Sequence, residues 1–357
     1  MSPQSRALHL RKIFRQVGVS QAETSTTIIL TTLRLDTSHS KKIKVKSTVL
    51  TYHIQLLIII RDQLSQYHTL QGTMALAQVF AADLSWPLWD DQPLEGAFEL
   101  KQPTNNTGTA VVSSVARPWI FGYTPAKSNG RAILVMAGGG YVELMVGREG
   151  VAVARWLASL GFHAFVLVHR FPTAETGPQA PVDDARRALR LIEESGIATS
   201  LSVCGLSSGG HLAAALLAEY PGTWKAPPNG TPTTKIELAI IGYGPISTNA
   251  VGRTIIPDKA PLEPPAKQEL YNIVQPDVQV IQPAPPTFIV YSGSDPIVPV
   301  TNAYRLAEGL NKAGGAVEIH VFADAPHGFG IDTKDLPVSA WPSLCEAWLQ
   351  QNGFLTK

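Results

Sequence analysis

The chain has 357 residues, of which 45% are apolar and 16% are charged, and it contains two cysteines. This length allows one large or two ordinary domains with a sizeable core, and the composition excludes disorder as the main state. The formal net charge of +1 creates no field that would attract nucleic acid or an anionic membrane, so neither partner is expected. Two cysteines supply neither a disulfide framework nor a metal-ligand cluster.

Residues 1–73 differ in charge from the rest of the chain and are predicted to be an N-terminal extension. Residues 1–72 carry ten basic and three acidic side chains. Such a start resembles a transit peptide; the alternative is a poorly ordered extension ahead of a functional start at Met74. The missing apolar segment of a secretory signal favours a cytoplasmic location and leaves an organellar or secreted one open. The longest apolar run, residues 54–60, is far shorter than the ~20 residues of a membrane-spanning helix.

In residues 74–357, short apolar runs alternate with amphipathic segments. The strand-length runs are residues 132–136, 163–168, 201–204, 236–241, 287–291 and 317–322, and the helical patterns are residues 149–160, 181–195, 208–220, 302–313 and 340–351. This succession predicts the α/β class, with a mostly parallel, doubly wound sheet. Residues 247–286 break the alternation with eight prolines, too many for a long helix. They are predicted to be a cap or substrate loop, or else loosely ordered.

A Gly-x-Ser-x-Gly motif, residues 205–209, follows one predicted strand directly and precedes a predicted helix. In such a turn the flanking glycines allow a sharp bend, and the serine hydroxyl projects alone into a cleft. A plain glycine-rich turn between a strand and a helix is the alternative interpretation. The order of strand, turn and helix favours the first, so Ser207 is predicted to be a nucleophile.

A serine nucleophile needs a base and an acid that orients the base, and in α/β-hydrolases they follow the serine in the order acid, then histidine. His320 lies inside a predicted strand, whereas His327 lies in the loop that follows, where catalytic groups are common. Asp295 comes after the predicted strand 287–291, at the edge where open α/β sheets place their sites. Asp324 on the histidine loop is its rival. The predicted triad is Ser207, Asp295 and His327.

Acyl transfer also needs hydrogen-bond donors for the oxyanion that develops on the carbonyl. Three glycines at positions 138–140 end the predicted strand 132–136, where lipases and esterases carry a His-Gly-Gly-Gly loop; here an alanine precedes them. The amides of Gly139, Gly140 and Ser208 are therefore the predicted oxyanion hole. Tyr141 is a candidate wall of the acyl pocket, or it packs beneath the cap.

Together these motifs resemble the acetyl xylan esterase and feruloyl-esterase-like (BD-FAE-like) branch of the α/β-hydrolases over roughly residues 118–352. The resemblance rests on the runs Ala137-Gly138-Gly139-Gly140-Tyr141, Gly205-Leu206-Ser207-Ser208-Gly209-Gly210-His211-Leu212, Asp295 with Pro299-Val300, and Pro326-His327-Gly328-Phe329. Ala137 departs from the proline or histidine that is usual before these glycines.

This resemblance implies an α/β-hydrolase fold and a serine esterase that hydrolyses short acyl esters, commonly acetyl groups on carbohydrate, with no metal or organic cofactor. The expected partner is thus a small-molecule or carbohydrate ester. A peptidase or an arylformamidase on the same scaffold stays open because a fold does not determine the substrate. A binding protein that has kept the fold and lost turnover is a further alternative. The sequence does not reveal the oligomeric state.

Overall fold

In the computed structural model of the protein, residues 79–89, 93–101, 107–226 and 235–355 are described. The prediction that residues 1–73 form an extension lies outside these ranges. The strands are β1 (Leu84–Pro87), β2 (Phe98–Leu100), β3 (Val112–Val115), β4 (Trp119–Tyr123), β5 (Arg131–Met136), β6 (His163–Val168), β7 (Ser200–Leu206), β8 (Ile236–Gly242), β9 (Thr287–Ser292) and β10 (Val317–Phe322).

Eight strands form one sheet in the order β1-β4-β6-β5-β7-β8-β9-β10, and β2 pairs with β3 in a separate sheet. β4 is antiparallel to both β1 and β6, and all pairs from β6 to β10 are parallel. Parallel central strands are covered on both faces, so their residues are almost all apolar. In β5, β6, β7 and β9 nearly every residue is buried. The α/β class predicted from the sequence is confirmed.

Six α-helices flank this sheet in the described ranges: α1 (Ala152–Ser159), α2 (Ala180–Ser195), α3 (Ser208–Ala215), α4 (Pro265–Ile273), α5 (Thr301–Lys312) and α6 (Trp341–Gln351). α2, α5 and α6 begin and end within one residue of the predicted helices. α1 begins later than predicted, because residues 146–151 form a wider turn of the π type. Among the described residues, no helix is both long and apolar enough to cross a membrane.

The prediction of a helix over residues 208–220 was wrong at its C-terminal end, because α3 stops at Ala215. Beyond α3 the chain pairs with residues 279–281: Ala218 forms a β-bridge with Val280, and two further main-chain hydrogen bonds of 2.9 and 3.0 Å flank the bridge. These bonds take the place of helical ones. The pairing joins segments about sixty residues apart, so the local pattern that ends in Pro221 does not contain it.

The proline-rich segment 247–286 connects β8 to β9 and contains α4. This nine-residue helix begins at Pro265. Proline is tolerated there because N–H groups in the first turn of a helix have no acceptor within the helix. Tyr271 of α4 is 2% exposed, and its ring centroid lies 4.6 Å from that of His211 on α3. The segment therefore packs on the helix that follows Ser207. Its role as a cap over substrate stays a prediction.

Candidate active site

Ser207 lies in a strained turn between β7 and α3. Its backbone has φ 54° and ψ −126°, in a region that residues other than glycine seldom adopt. A Cβ atom on Gly205 would stand 2.0 Å from the carbonyl oxygen of Gly209, and one on Gly209 would stand 2.0 Å from the carbonyl oxygen of Met136. Both positions must therefore be glycine for the turn to close, which is the physical reason for the Gly-x-Ser-x-Gly spacing.

The structure brings Ser207, His327 and Asp295 together in one hydrogen-bonded series. Ser207 Oγ lies 2.9 Å from His327 Nε2, and His327 Nδ1 lies 2.7 Å from Asp295 Oδ2. The three residues come from the loops after β7, β10 and β9, whose carboxyl ends share one edge of the sheet because these strands are parallel. With the Nδ1 hydrogen donated to Asp295, Nε2 is free to accept the proton of Ser207.

Asp295 is held in its charged form by three donors. Its Oδ1 atom accepts the main-chain N–H groups of Ile297 and Val298 at 2.8 and 2.9 Å, while Oδ2 faces His327. Burial raises the pKa of Asp295, but the hydrogen bonds from His327, Val298 and Ile297 outweigh burial and hold the pKa below its usual value. The carboxylate is therefore ionised at neutral pH and can orient the imidazole.

The two rival residues from the sequence are engaged elsewhere. Asp324 accepts a 2.7 Å hydrogen bond from Ser294 Oγ on the loop that carries Asp295. His320 Nε2 lies 2.9 Å from a carboxylate oxygen of Glu318 on the same strand. Asp324 thus ties two loops together, and His320 belongs to the surface of the edge strand β10.

The predicted oxyanion hole is arranged differently from the expectation. The Gly140 N–H is not free to donate to a substrate oxygen in this structure, because it donates to Ser208 Oγ over 2.9 Å. The Gly139 N–H has no acceptor among the residues that the structure describes. Ser208 is 1% exposed and is the residue directly after the nucleophile. Its hydroxyl therefore contacts the glycine loop, and the motif did not reveal this contact because Gly140 and Ser208 are 68 positions apart.

Glu149 supports this glycine loop, a role that the sequence analysis did not assign. Its Oε2 atom accepts the Gly138 N–H at 2.7 Å, and its Oε1 atom accepts the Tyr243 hydroxyl at 3.1 Å. Tyr243 in turn accepts the N–H of Gly330, on the loop that carries His327, over 3.1 Å. Burial raises the pKa of Glu149. Glu149 lies eleven positions after Gly138, and no local pattern in the sequence indicates this contact.

Replacing Glu149 with methionine is expected to lower kcat about 10- to 100-fold with a small change in KM. Methionine is similar in size but leaves the Gly138 N–H and the Tyr243 hydroxyl without an acceptor, and a loop displaced by about 1 Å can cost that much in rate. Glu149→Gln, which keeps one oxygen acceptor, should lose less. Steady-state kinetics on one ester and thermal unfolding of both variants check this. Equal rates for wild type and Glu149→Met would contradict the supporting role.

Tyr141 packs beneath the segment 247–286, the second of the two roles considered for it. The side chain is fully buried, and its hydroxyl lies 2.8 Å from His211 Nδ1. His211 Nε2 lies 3.1 Å from the carbonyl oxygen of Val274, so Nε2 donates and Nδ1 accepts the tyrosine proton. Burial lowers the pKa of His211 to about 4, which keeps the ring neutral. Tyr141 therefore has no exposed surface to line a substrate pocket.

This arrangement is suited to acyl transfer. A hydroxyl, an imidazole and a carboxylate lie in series, and main-chain amides lie beside the hydroxyl. No group of three or more His, Cys, Asp or Glu side chains in the described part of the chain is placed to hold a metal ion.

Two family models match the chain. The BD-FAE model matches residues 122–310, and the model of the dienelactone hydrolase family matches residues 271–357. The BD-FAE match covers more than half of the chain and includes both the glycine loop and the Ser207 turn.

Curated relatives match about two thirds of the chain. An acetylxylan esterase from Xylanibacter ruminicola is 25% identical over 254 residues, which is 66% of this chain and 49% of that protein. Acylamino-acid-releasing enzyme 2 from Oryza sativa subsp. japonica is 26% identical over 275 residues, 68% of this chain and 34% of that protein. The chain thus spans half or less of the length of these relatives.

Solved structures that match over nearly their whole length share the fold. An acetyl ester-xyloside bifunctional hydrolase from Caldicellulosiruptor lactoaceticus is 26% identical with a TM-score of 0.55, and the match covers 77% of this chain and 98% of that one. A carboxylesterase from Lactobacillus plantarum WCFS1 is 19% identical with a TM-score of 0.55, covering 73% and 99%.

Proposed function

The chain belongs to the BD-FAE family, and from that premise we propose that it is a serine hydrolase that cleaves short-chain carboxylic esters, with acetyl groups on carbohydrate as candidate substrates. The observation that carries the proposal is the series Ser207, His327 and Asp295, joined by contacts of 2.9 and 2.7 Å. The acetylxylan esterase among the relatives and the acetyl ester-xyloside hydrolase among the similar structures support an ester as the bond that is cut.

In the first half of the reaction, His327 removes the proton of Ser207 as the serine oxygen attacks the ester carbonyl carbon. The tetrahedral intermediate collapses when the bond from the carbonyl carbon to the alcohol oxygen breaks. His327 then gives its proton to the departing alcohol, and the acyl group stays on Ser207. Asp295 holds the imidazole in the tautomer that this exchange needs and stabilises the imidazolium between the two proton transfers.

The oxyanion is stabilised by the amides of Gly139 and Ser208 and by the hydroxyl of Ser208. A hydroxyl that accepts a hydrogen bond, as Ser208 Oγ does from Gly140, can donate its own proton to a second partner. The Gly140 amide therefore acts through Ser208 Oγ, which it orients and polarises. In the second half of the reaction, a water molecule attacks the acyl-enzyme by the same route and releases the carboxylic acid.

Hydrolysis of p-nitrophenyl esters from acetate to decanoate tests this function. We expect kcat/KM to fall steeply beyond about butyrate, since a pocket suited to the short acyl groups that we propose has little room for added methylenes. Acetate release from peracetylated xylose tests whether the protein removes acetyl groups from a carbohydrate. Labelling of Ser207 by a fluorophosphonate, located by peptide mass, shows in the same sample whether the serine is activated.

The same experiment separates the alternatives. Labelling of Ser207 without hydrolysis of any ester would contradict the esterase function and favour an amide bond, a possibility supported by the acylamino-acid-releasing relative. N-acetylalanine p-nitroanilide is the probe for that activity. A folded protein that neither labels nor hydrolyses would instead support a binding protein.

A further inference from the structure

A lysine from the proline-rich segment borders the glycine loop. Lys267, on α4, places its Nζ atom 3.7 Å from the point where a Cβ atom on Gly140 would stand. Gly140 donates to Ser208 Oγ, and Ser208 follows the nucleophile directly. The ammonium group therefore borders Gly140, whose N–H donates to the Ser208 hydroxyl of the proposed oxyanion site.

Buried contacts determine where this lysine lies. Tyr271, one helical turn after Lys267 on the same face of α4, contacts the rings of His211 and Tyr141 with centroid distances of 4.6 and 5.7 Å. The carbonyl of Val274, at the end of α4, lies 3.1 Å from His211 Nε2. Because α4 is anchored on α3 in this way, the core fixes the backbone from which the Lys267 side chain extends toward Gly140.

The positive charge of Lys267 has no partner within the described ranges. Among the described residues, no carboxylate oxygen lies within 4.0 Å of Nζ, and Nζ donates no hydrogen bond. A second lysine, Lys259, donates to the side-chain oxygen of Asn249. Burial and the charge of Lys259 both lower the pKa of Lys267. A half-buried cation without a counter-charge is unfavourable unless an anion joins it.

We propose that Lys267 forms a subsite for a carboxylate group of the substrate, so that the preferred esters carry a carboxylate close to the bond that is cut. This inference rests on the proposed esterase function and names its substrate class. The carboxylate can belong to the acyl half, as in the monoester of a dicarboxylic acid, or to the alcohol half, as in an acetylated hydroxy acid.

Two pairs of substrates, matched in shape and differing in charge, distinguish these sources. Monoethyl succinate and ethyl levulinate differ in the acyl half, where a carboxylate replaces a methyl ketone. Acetoxyacetate and acetoxyacetone differ in the same way in the alcohol half. We expect kcat/KM to favour the carboxylate member of one pair by about tenfold, since charge-assisted hydrogen bonds at a partly exposed site are of this strength.

Lys267→Met tests whether the lysine causes the preference. We expect this variant to lose about tenfold more kcat/KM on the carboxylate ester than on its neutral partner, and Lys267→Glu to invert the preference. Lys267→Arg should keep part of it. The control is Lys312→Met, because Lys312 is 73% exposed, is paired with Glu308 on α5 and should leave both rates unchanged.

Three outcomes would overturn the subsite. The first is a wild-type enzyme that hydrolyses both members of each pair equally. The second is an unchanged preference in Lys267→Met. The third is an equal loss on both members, because the ammonium group would then act on the oxyanion that all esters share. In each of these cases the neutral esters are still hydrolysed, so the proposed function survives.

Binding of succinate, measured by calorimetry on the wild type and on Lys267→Met, examines the subsite without turnover. We expect binding to the wild type and a loss of about tenfold in affinity in the variant. Equal binding, or none to either protein, would overturn the subsite even if no ester were hydrolysed.

Discussion

Ser207→Ala is expected to lower ester hydrolysis by about 10⁶-fold, the size of the loss when a serine hydrolase is deprived of its nucleophile. The change deletes a single oxygen atom, so the hydrogen bond to His327 is lost and no acyl-enzyme can form. The glycines that allow the turn remain in place. We therefore expect the melting temperature to be unchanged or slightly raised, since strained active sites commonly cost stability.

The matched control for this variant is Ser159→Ala. Ser159 is an exposed residue at the end of α1, and its hydroxyl donates to the Trp156 carbonyl over 2.6 Å. Its loss should leave kcat/KM unchanged. Initial rates on p-nitrophenyl acetate, fluorophosphonate labelling and thermal unfolding of the three proteins are the measurements. A Ser207→Ala protein that kept a substantial fraction of the wild-type rate would remove the serine from the mechanism.

The contacts that join Ser207, His327 and Asp295 were predictable because each of these residues carries a local signal. Ser207 lies in a motif with fixed glycine spacing, and Asp295 and His327 follow apolar runs that end in turns. The bounds of β6 and β10 agree with the prediction to the residue. Parallel strands then bring their carboxyl ends to one edge, so chain order alone was enough to gather the three groups.

Contacts between distant segments were not predictable in the same way. Glu149 pairs with Tyr243, 94 positions away, and nothing in the neighbourhood of either residue indicates the other. α3 ends where the chain forms its bridge to Val280. The Gly140 N–H is occupied because it donates to the distant Ser208 Oγ. Lys267 lies in a segment whose prolines hide its helical pattern, so the sequence did not place it beside the active site.

Asp295→Asn is expected to lower kcat about 10⁴-fold, because it reverses the hydrogen-bonding pattern of the imidazole. Two main-chain amides, those of Ile297 and Val298, donate to Oδ1 and so require an oxygen there. The asparagine must therefore turn its NH₂ group toward His327. Nδ1 then has to accept, the ring proton moves to Nε2, and Nε2 can no longer receive the proton of Ser207.

The same substitution changes how stability depends on pH. Because the folded-state pKa of Asp295 is lowered, its ionised form stabilises the fold above the unfolded pKa of about 3.9, and this contribution is lost as the pH falls through the folded value. The difference in unfolding free energy between wild type and Asp295→Asn should thus shrink below about pH 4. Asp324→Asn is the control and should keep its rate, since Asp324 contacts Ser294 rather than His327. If Asp324→Asn were inactive and Asp295→Asn active, the acid of the triad would be Asp324, and the hydrogen bond between His327 and Asp295 would have no part in catalysis.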